Sequence, residues 1–158
     1  MSVEIERKFL LKSDNWRILG EAKFYQQGYL LIEKSKTIRV RTIDNKGFLT
    51  IKGASVGICR NEYEYEIPID DAKMILEMQC EKPLIEKFRT KIELLDLVWE
   101  VDEFVGENNG LVIAEVELKN ENQKIDLPDW VGKEVTGNHC YNNSYLVKHP
   151  FSKWRRSN

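Results

Sequence analysis

Glu4, Glu6 and Lys8 occupy alternate positions in VEIERKFL. In a strand, alternate side chains share a face, so these three form one charged stripe while Val3 and Ile5 face away. Two adjacent carboxylates repel unless a cation joins them, and a lysine beside them points to an anion close by. Glu115 and Glu117 repeat the Glu-x-Glu spacing. Hard oxygen donors of this kind suit Mg²⁺ or Mn²⁺. The bases Lys8, Arg39, Arg41, Lys52, Lys87 and Arg89 lie on stripes of their own. Arginine presents planar bidentate donors to phosphate oxygens, and lysine a movable point charge. A linear triphosphate, with several charged oxygens in a row, matches six converging bases better than a single orthophosphate does. Tyr29, in QQGYL, pairs with Lys8 as a candidate dyad for proton movement. Glu62 and Glu64 have three readings: a second metal, positioning of water, or pairing with the arginines.

These residues need a frame, and most of the chain reads as strand. Segments 3–11, 23–32, 37–43, 48–53, 61–69, 85–93, 96–104 and 111–119 carry the alternation. DNKG at 44–47 predicts a hairpin turn. SDNWRILG, 13–20, predicts a short capped helix stopped by Gly20. DDAKMILEMQC, 70–80, predicts a second helix with acids at its start, and residues 133–148 a terminal third. There is no βαβ alternation, so the sheet is expected to be largely antiparallel. Both charge signs recur on nearly every strand, which one solvated face of an open sheet does not explain. A closed barrel with a polar lumen places these groups inside, while the apolar alternate residues pack against helices. Buried charges require partners or bound ions, so the barrel itself implies a charged ligand.

Composition narrows the classes. A chain of 158 residues suits one domain over 1–150, followed by the basic tail 151–158, expected to be solvent-facing. Its net charge of -2 gives no support for nucleic-acid binding. No apolar run is long enough for a membrane span, and the N-terminal segment does not read as a signal peptide. The odd cysteine count, Cys59, Cys80 and Cys140, fits a reducing cytoplasm rather than a disulfide framework. The expected partner is a small polyphosphate, with the protein a monomer or homodimer.

EIERKF at 4–9, IRVR at 38–41, TIKG at 50–53, RNEYEYEIP at 60–68, EKFR at 86–89, EVD at 100–102 and AEVEL at 114–118 together resemble the CYTH-domain, or triphosphate tunnel metalloenzyme, family. The resemblance implies a mainly β fold, an eight-stranded antiparallel closed tunnel with flanking helices and a C-terminal helix. It also implies Glu4, Glu6, Glu115 and Glu117 as metal ligands and the six bases as the phosphate grip. Asp102 would support that set electrostatically or as a further metal-site group. The implied activity is Mg²⁺- or Mn²⁺-dependent hydrolysis of inorganic triphosphate to pyrophosphate and orthophosphate. The alternatives are an adenylyl cyclase, a thiamine or nucleoside triphosphatase, and a module that binds polyphosphate without turnover. An aromatic platform for an organic group would come from Trp16, Tyr25 or Trp130, unless these pack the core. The chain departs from the family pattern near its end, where His139 and Asn142 stand in place of an expected base and Lys133 or Lys148 would have to compensate.

Overall fold

The computed structural model describes residues 2–154. Nine strands run in chain order: β1 (Ser2–Leu11), β2 (Ala22–Ile32), β3 (Lys36–Ile43), β4 (Lys46–Gly53), β5 (Cys59–Ile67), β6 (Ile85–Leu94), β7 (Leu97–Phe104), β8 (Val112–Glu117) and β9 (Val131–Glu134). All pairings are antiparallel, in the order β5-β4-β3-β2-β6-β7-β8-β1, and β5 returns to β1 to close an eight-stranded barrel. The closing register is short, running from Ser2↔Glu62 to Ile5↔Cys59. Beyond it β1 turns to the ninth strand, with Phe9 opposite Glu134 and Leu11 opposite Val131. The β3–β4 hairpin turns at Asp44, whose φ of 54° is one an aspartate tolerates.

Alternation sorts the side chains. Those sharing a face with Glu4, Arg39, Lys87 and Glu115 point into the lumen, and their neighbours build the outer core. Phe9, Trp99, Val101, Ala114 and Val116 form the largest buried cluster outside the wall, with Trp16 and Trp130 folded over it. A short 3₁₀ helix carrying Trp16 and the irregular chain carrying Trp130 cover this side. Helix α1 (Ile69–Met78) covers β3 and β4 through Ala72 and Leu76, packed with Val40. Asp70 and Asp71 stand in its first turn, where the helix dipole favours acids. Gly47 permits the close approach of α1, since a Cβ there would stand 2.5 Å from that of Ala72.

Two expected helices are corrected. Residues 13–20 form a 3₁₀ helix, Asn15–Leu19, in which the Asp14 side chain makes no cap bond and Ser13 Oγ accepts from the Asn15 N–H at 3.4 Å. Gly20 is extended rather than a left-handed stop; its bareness lets the chain pass the Lys91 carbonyl, which a Cβ would meet at 2.5 Å. The terminal helix over 133–148 is in fact β9, a 3₁₀ turn at His139–Tyr141 and α2 (Asn143–Lys148). The free edge of β1 recruits Val131–Glu134 into the sheet, and Gly137, with φ of 80°, turns the chain away from the strand direction ahead of the 3₁₀ turn. The first part of the basic tail is ordered: Phe151–Lys153 makes a 3₁₀ turn, and Phe151 and Trp154 pack against α2 and its neighbours. Arg155 and Arg156 lie outside the described residues.

Candidate functional site

The lumen holds a cavity of about 550 Å³. All six predicted bases line it, on four of the eight barrel strands. Lys87 and Arg89 are fixed from below by Asp102, which is 1% exposed. Its carboxylate accepts from Lys87 Nζ at 2.8 Å and from Arg89 Nε and Nη2 at 2.7 and 2.8 Å. Burial acts to raise the Asp102 pKa, but Arg89 and then Lys87 outweigh it and hold the group well below the usual range. Burial lowers the Lys87 ammonium to about 7 against the pull of Asp102. Asp102 does not line the cavity, and both its oxygens are engaged by cations. This geometry favours the supporting role over the ligand role.

Arg39 and Arg41 are less provided for. Arg39 donates to Thr50 Oγ1 at 3.4 Å, and Arg41 to Glu64 Oε1 at 3.1 Å. The Nε atom of each is buried without a hydrogen-bond partner. A buried donor left unmade costs about 1–3 kcal/mol, and more when charged, so two in one cavity mark a place for an anion. Burial lowers the Arg41 pKa, as do the charges of Arg39 and Arg89. Glu64 is not on the wall; it accepts from Arg41 and from Thr50 at 3.1 Å, which fits pairing among its three readings.

The carboxylates face the bases across the lumen. Glu6 stands opposite Glu117 and Lys8 opposite Glu115 in the β1–β8 register. Burial, then the charges of Glu115 and Glu4, push the Glu6 pKa well above its usual value. Glu6 has no ion-pair partner among the described residues. Burial, then Glu4 and Glu100, also raise Glu117. Burial would raise Glu115 too, but Lys8 and Arg89 bring it down. Glu4 accepts from Lys52 at 3.1 and 3.2 Å. Burial opposes its ionisation, but the Glu62 hydrogen bond and Lys52 lower it to about 2. That same bond, then burial, raises Glu62 to about 7. Glu6, Glu117 and Glu62 are raised by burial and by neighbouring carboxylates, and a divalent cation among these crowded oxygens would relieve their repulsion. Among the described residues no three carboxylate, imidazole or thiol groups are already gathered as a ligand set, so the fit rests on charge.

One end of the lumen is apolar and filled. Tyr29, Ile85, Phe104, Leu111 and Ile113 pack there against Leu146 and Val147 of α2. Above this floor, Asn142 Oδ1 accepts from Lys8 Nζ at 3.0 Å and Asn143 Oδ1 from Lys87 Nζ at 2.9 Å. Lys8 and Tyr29 line the same cavity but bond different neighbours, since the Tyr29 hydroxyl accepts from Gln27 Nε2 at 3.5 Å. Neither Lys133 nor Lys148 lines the cavity; Lys148 lies 3.9 Å from Glu81. Trp16 and Trp130 are in the outer core, and Tyr25 is buried beneath the guanidinium groups of Arg41 and Arg89 at 5.4 and 5.1 Å.

Sequence reasoning set Glu100 on a charged stripe and Asn142 in the place of an expected base, but it gave no role to either, nor to Arg60 or Asn143; all four line the wall. Arg60 shares the parity of Glu62, and Glu100 that of Asp102, so alternation held the signal for both. Arg60 donates Nε to the Gly53 carbonyl at 2.6 Å, and Glu100 accepts from Arg89 at 3.0 Å. Asn142 and Asn143 carried no periodic signal, because they sit at the start of a short helix.

A closed antiparallel barrel whose lumen is lined by both bases and carboxylates is a tunnel-type fold. A CYTH-domain family model matches residues 2–144, and the chain belongs to that family. It is 52% identical to an inorganic triphosphatase of Acetivibrio thermocellus over 155 residues, covering 98% of this chain and 99% of that protein. An inorganic triphosphatase of Nitrosomonas europaea is 35% identical over 148 residues, covering 91% and 96%. Among solved structures, an inorganic triphosphatase superposes with a TM-score of 0.65 at 33% identity, covering 93% of this chain and 95% of that one.

Proposed function

We propose that this protein hydrolyses inorganic triphosphate to pyrophosphate and orthophosphate with Mg²⁺ or Mn²⁺. The carrying observation is the pair of buried, unpartnered Nε atoms of Arg39 and Arg41 within a ring of six bases. The two inorganic triphosphatase relatives, each covering nearly the whole chain, support the same reading. Arg39, Arg41 and Lys52 hold the substrate from one side, Lys87 and Arg89 from the other, and Lys8 from the floor. Asp102 keeps Lys87 and Arg89 aimed while neutralising part of their charge. Glu4, Glu6, Glu115 and Glu117 would hold the cation, with Glu62 beside them. The bound cation supplies charge neutralisation and a more acidic attacking water. Water attacks one terminal phosphorus, its bridging P–O bond breaks, and pyrophosphate leaves. Lys8 and Tyr29 are the candidates to hold or move a proton there, Lys8 through Nζ and Tyr29 through its hydroxyl.

The deciding assay offers triphosphate, ATP and thiamine triphosphate with Mg²⁺ or Mn²⁺. Orthophosphate from triphosphate, abolished by a chelator and by Glu4→Ala or Glu117→Ala, is the expected result. Cyclic AMP with pyrophosphate from ATP would replace this reading with a cyclase, and metal-dependent binding without product would replace it with a binding module.

A further inference from the structure

Asn142, which joins the 3₁₀ turn at His139–Tyr141 to α2, and Asn143, the first residue of α2, supply two amides to the cavity wall. Their hydrogen polarity is fixed by what they touch. Lys8 Nζ donates to Asn142 Oδ1 at 3.0 Å, and Lys87 Nζ, held as a donor against Asp102 at 2.8 Å, donates to Asn143 Oδ1 at 2.9 Å, so each amide turns its oxygen to a lysine. The Asn143 oxygen also accepts from Gln27 Nε2 at 3.1 Å. Both NH₂ groups are left without an acceptor among the described residues. Behind them Leu146 and Val147, 0% and 3% exposed, pack against Ile85, Phe104 and Ile113 and close the floor.

We propose that Asn142 and Asn143 bind a bare terminal phosphoryl group at the cavity floor through their carboxamide NH₂ groups. This rests on the polyphosphate reading above and adds the end of the substrate that must enter first. Phosphoryl oxygens accept hydrogen bonds, so donors fit and carboxylates would not. Neutral donors add no charge to a floor that already holds Lys8 and Lys87. An ester group at this end would have to displace the packing of Leu146 and Val147 against Ile85, Phe104 and Ile113. Any substituent on the triphosphate is therefore confined to the far phosphate, and a triphosphate esterified at both ends is refused.

The direct test titrates ¹⁵N-labelled wild-type protein with Mg²⁺ and the non-hydrolysable imidotriphosphate. The side-chain NH₂ signals of Asn142 and Asn143 are expected to shift together with the Nε signals of Arg39 and Arg41. Unmoved amides beside shifted arginines would overturn this proposal and leave the polyphosphate reading standing; no shift anywhere would overturn both. Asn142→Asp and Asn143→Asp each keep an acceptor for the lysine but replace the donor. Each should weaken imidotriphosphate binding by about tenfold or more, with melting temperature as the control for folding. Affinity within about twofold of wild type in a folded variant would refute the assignment, as would equal wild-type affinity for diadenosine triphosphate and for inorganic triphosphate.

Discussion

Asp102→Asn isolates the support beneath the phosphate grip. The carboxylate is 1% exposed and makes three charge-assisted contacts of 2.7–2.8 Å, two to Arg89 and one to Lys87. The amide has nearly the same shape, so packing is preserved and charge is the variable. Removing one partner of a buried ion pair costs about 3–5 kcal/mol, because the other charge stays buried and uncompensated. Glu100, 3.0 Å from Arg89, recovers part of this, which favours the lower half of that range. For a chain of this length that lower half corresponds to a fall in melting temperature of roughly 6–16 °C. The two released cations also make the lumen more positive. Saturating imidotriphosphate should therefore stabilise the variant more than it stabilises wild type. Paired thermal melts with and without the ligand measure both effects. A melting temperature within about 2 °C of wild type, or equal ligand-induced shifts, would refute the view that Asp102 neutralises the grip from below.

Leu146→Ala, at a fully buried floor position, should cost about 2–5 kcal/mol in denaturant unfolding and loosen discrimination between bare and substituted ends of the substrate. Gly47→Ala should destabilise by about 1–3 kcal/mol without altering ligand affinity, because the added Cβ meets α1 and not the lumen. Metal-free stability should depend on pH through the Glu4–Glu62 pair. Glu4, lowered to about 2, contributes stability above pH 4.5 that is lost as pH falls toward 2; Glu62, raised to about 7, contributes stability below 4.5 that is lost as pH rises to 7. The pair's contribution thus peaks near pH 4.5, and Mg²⁺ should remove the decline above it; a metal-free curve that rises from pH 4.5 to 7 would count against the coupling.

The barrel was legible because a charged lumen is unusual enough to show in period-two alternation. Each stripe of EIERKF, IRVR, EKFR and AEVE lands on the inner wall, since one-residue slips would bury the wrong face. Alternation says which face a residue takes and nothing about what lies across the lumen. It could not separate Asp102, held beneath two cations, from Glu100 on the wall, nor show that Glu64 is spent on Arg41. The end of the chain was misread for a different reason. Helical spacing over 133–148 is local, whereas the edge of β1 that draws Val131–Glu134 into the sheet is more than a hundred residues away. The floor amides follow from that misreading, because their places depend on where α2 begins.

The hoop of the barrel has a clasp. Seven of its eight junctions are joined over five or more paired residues, whereas β1 meets β5 over only the four from Ser2 to Ile5. Glu4 lies on one side of this seam and Lys52, Arg39 and Arg41 on the other, and the Lys52–Glu4 contact already crosses it. A polyphosphate gripped by the bases and a cation gripped by the glutamates would span the same gap from inside. Ligand then acts as a strut, and the first hydrogen bonds to open in the empty protein are those of the clasp. Amide exchange along Val3–Ile5 should consequently report occupancy of the lumen more sharply than exchange at any of the longer junctions.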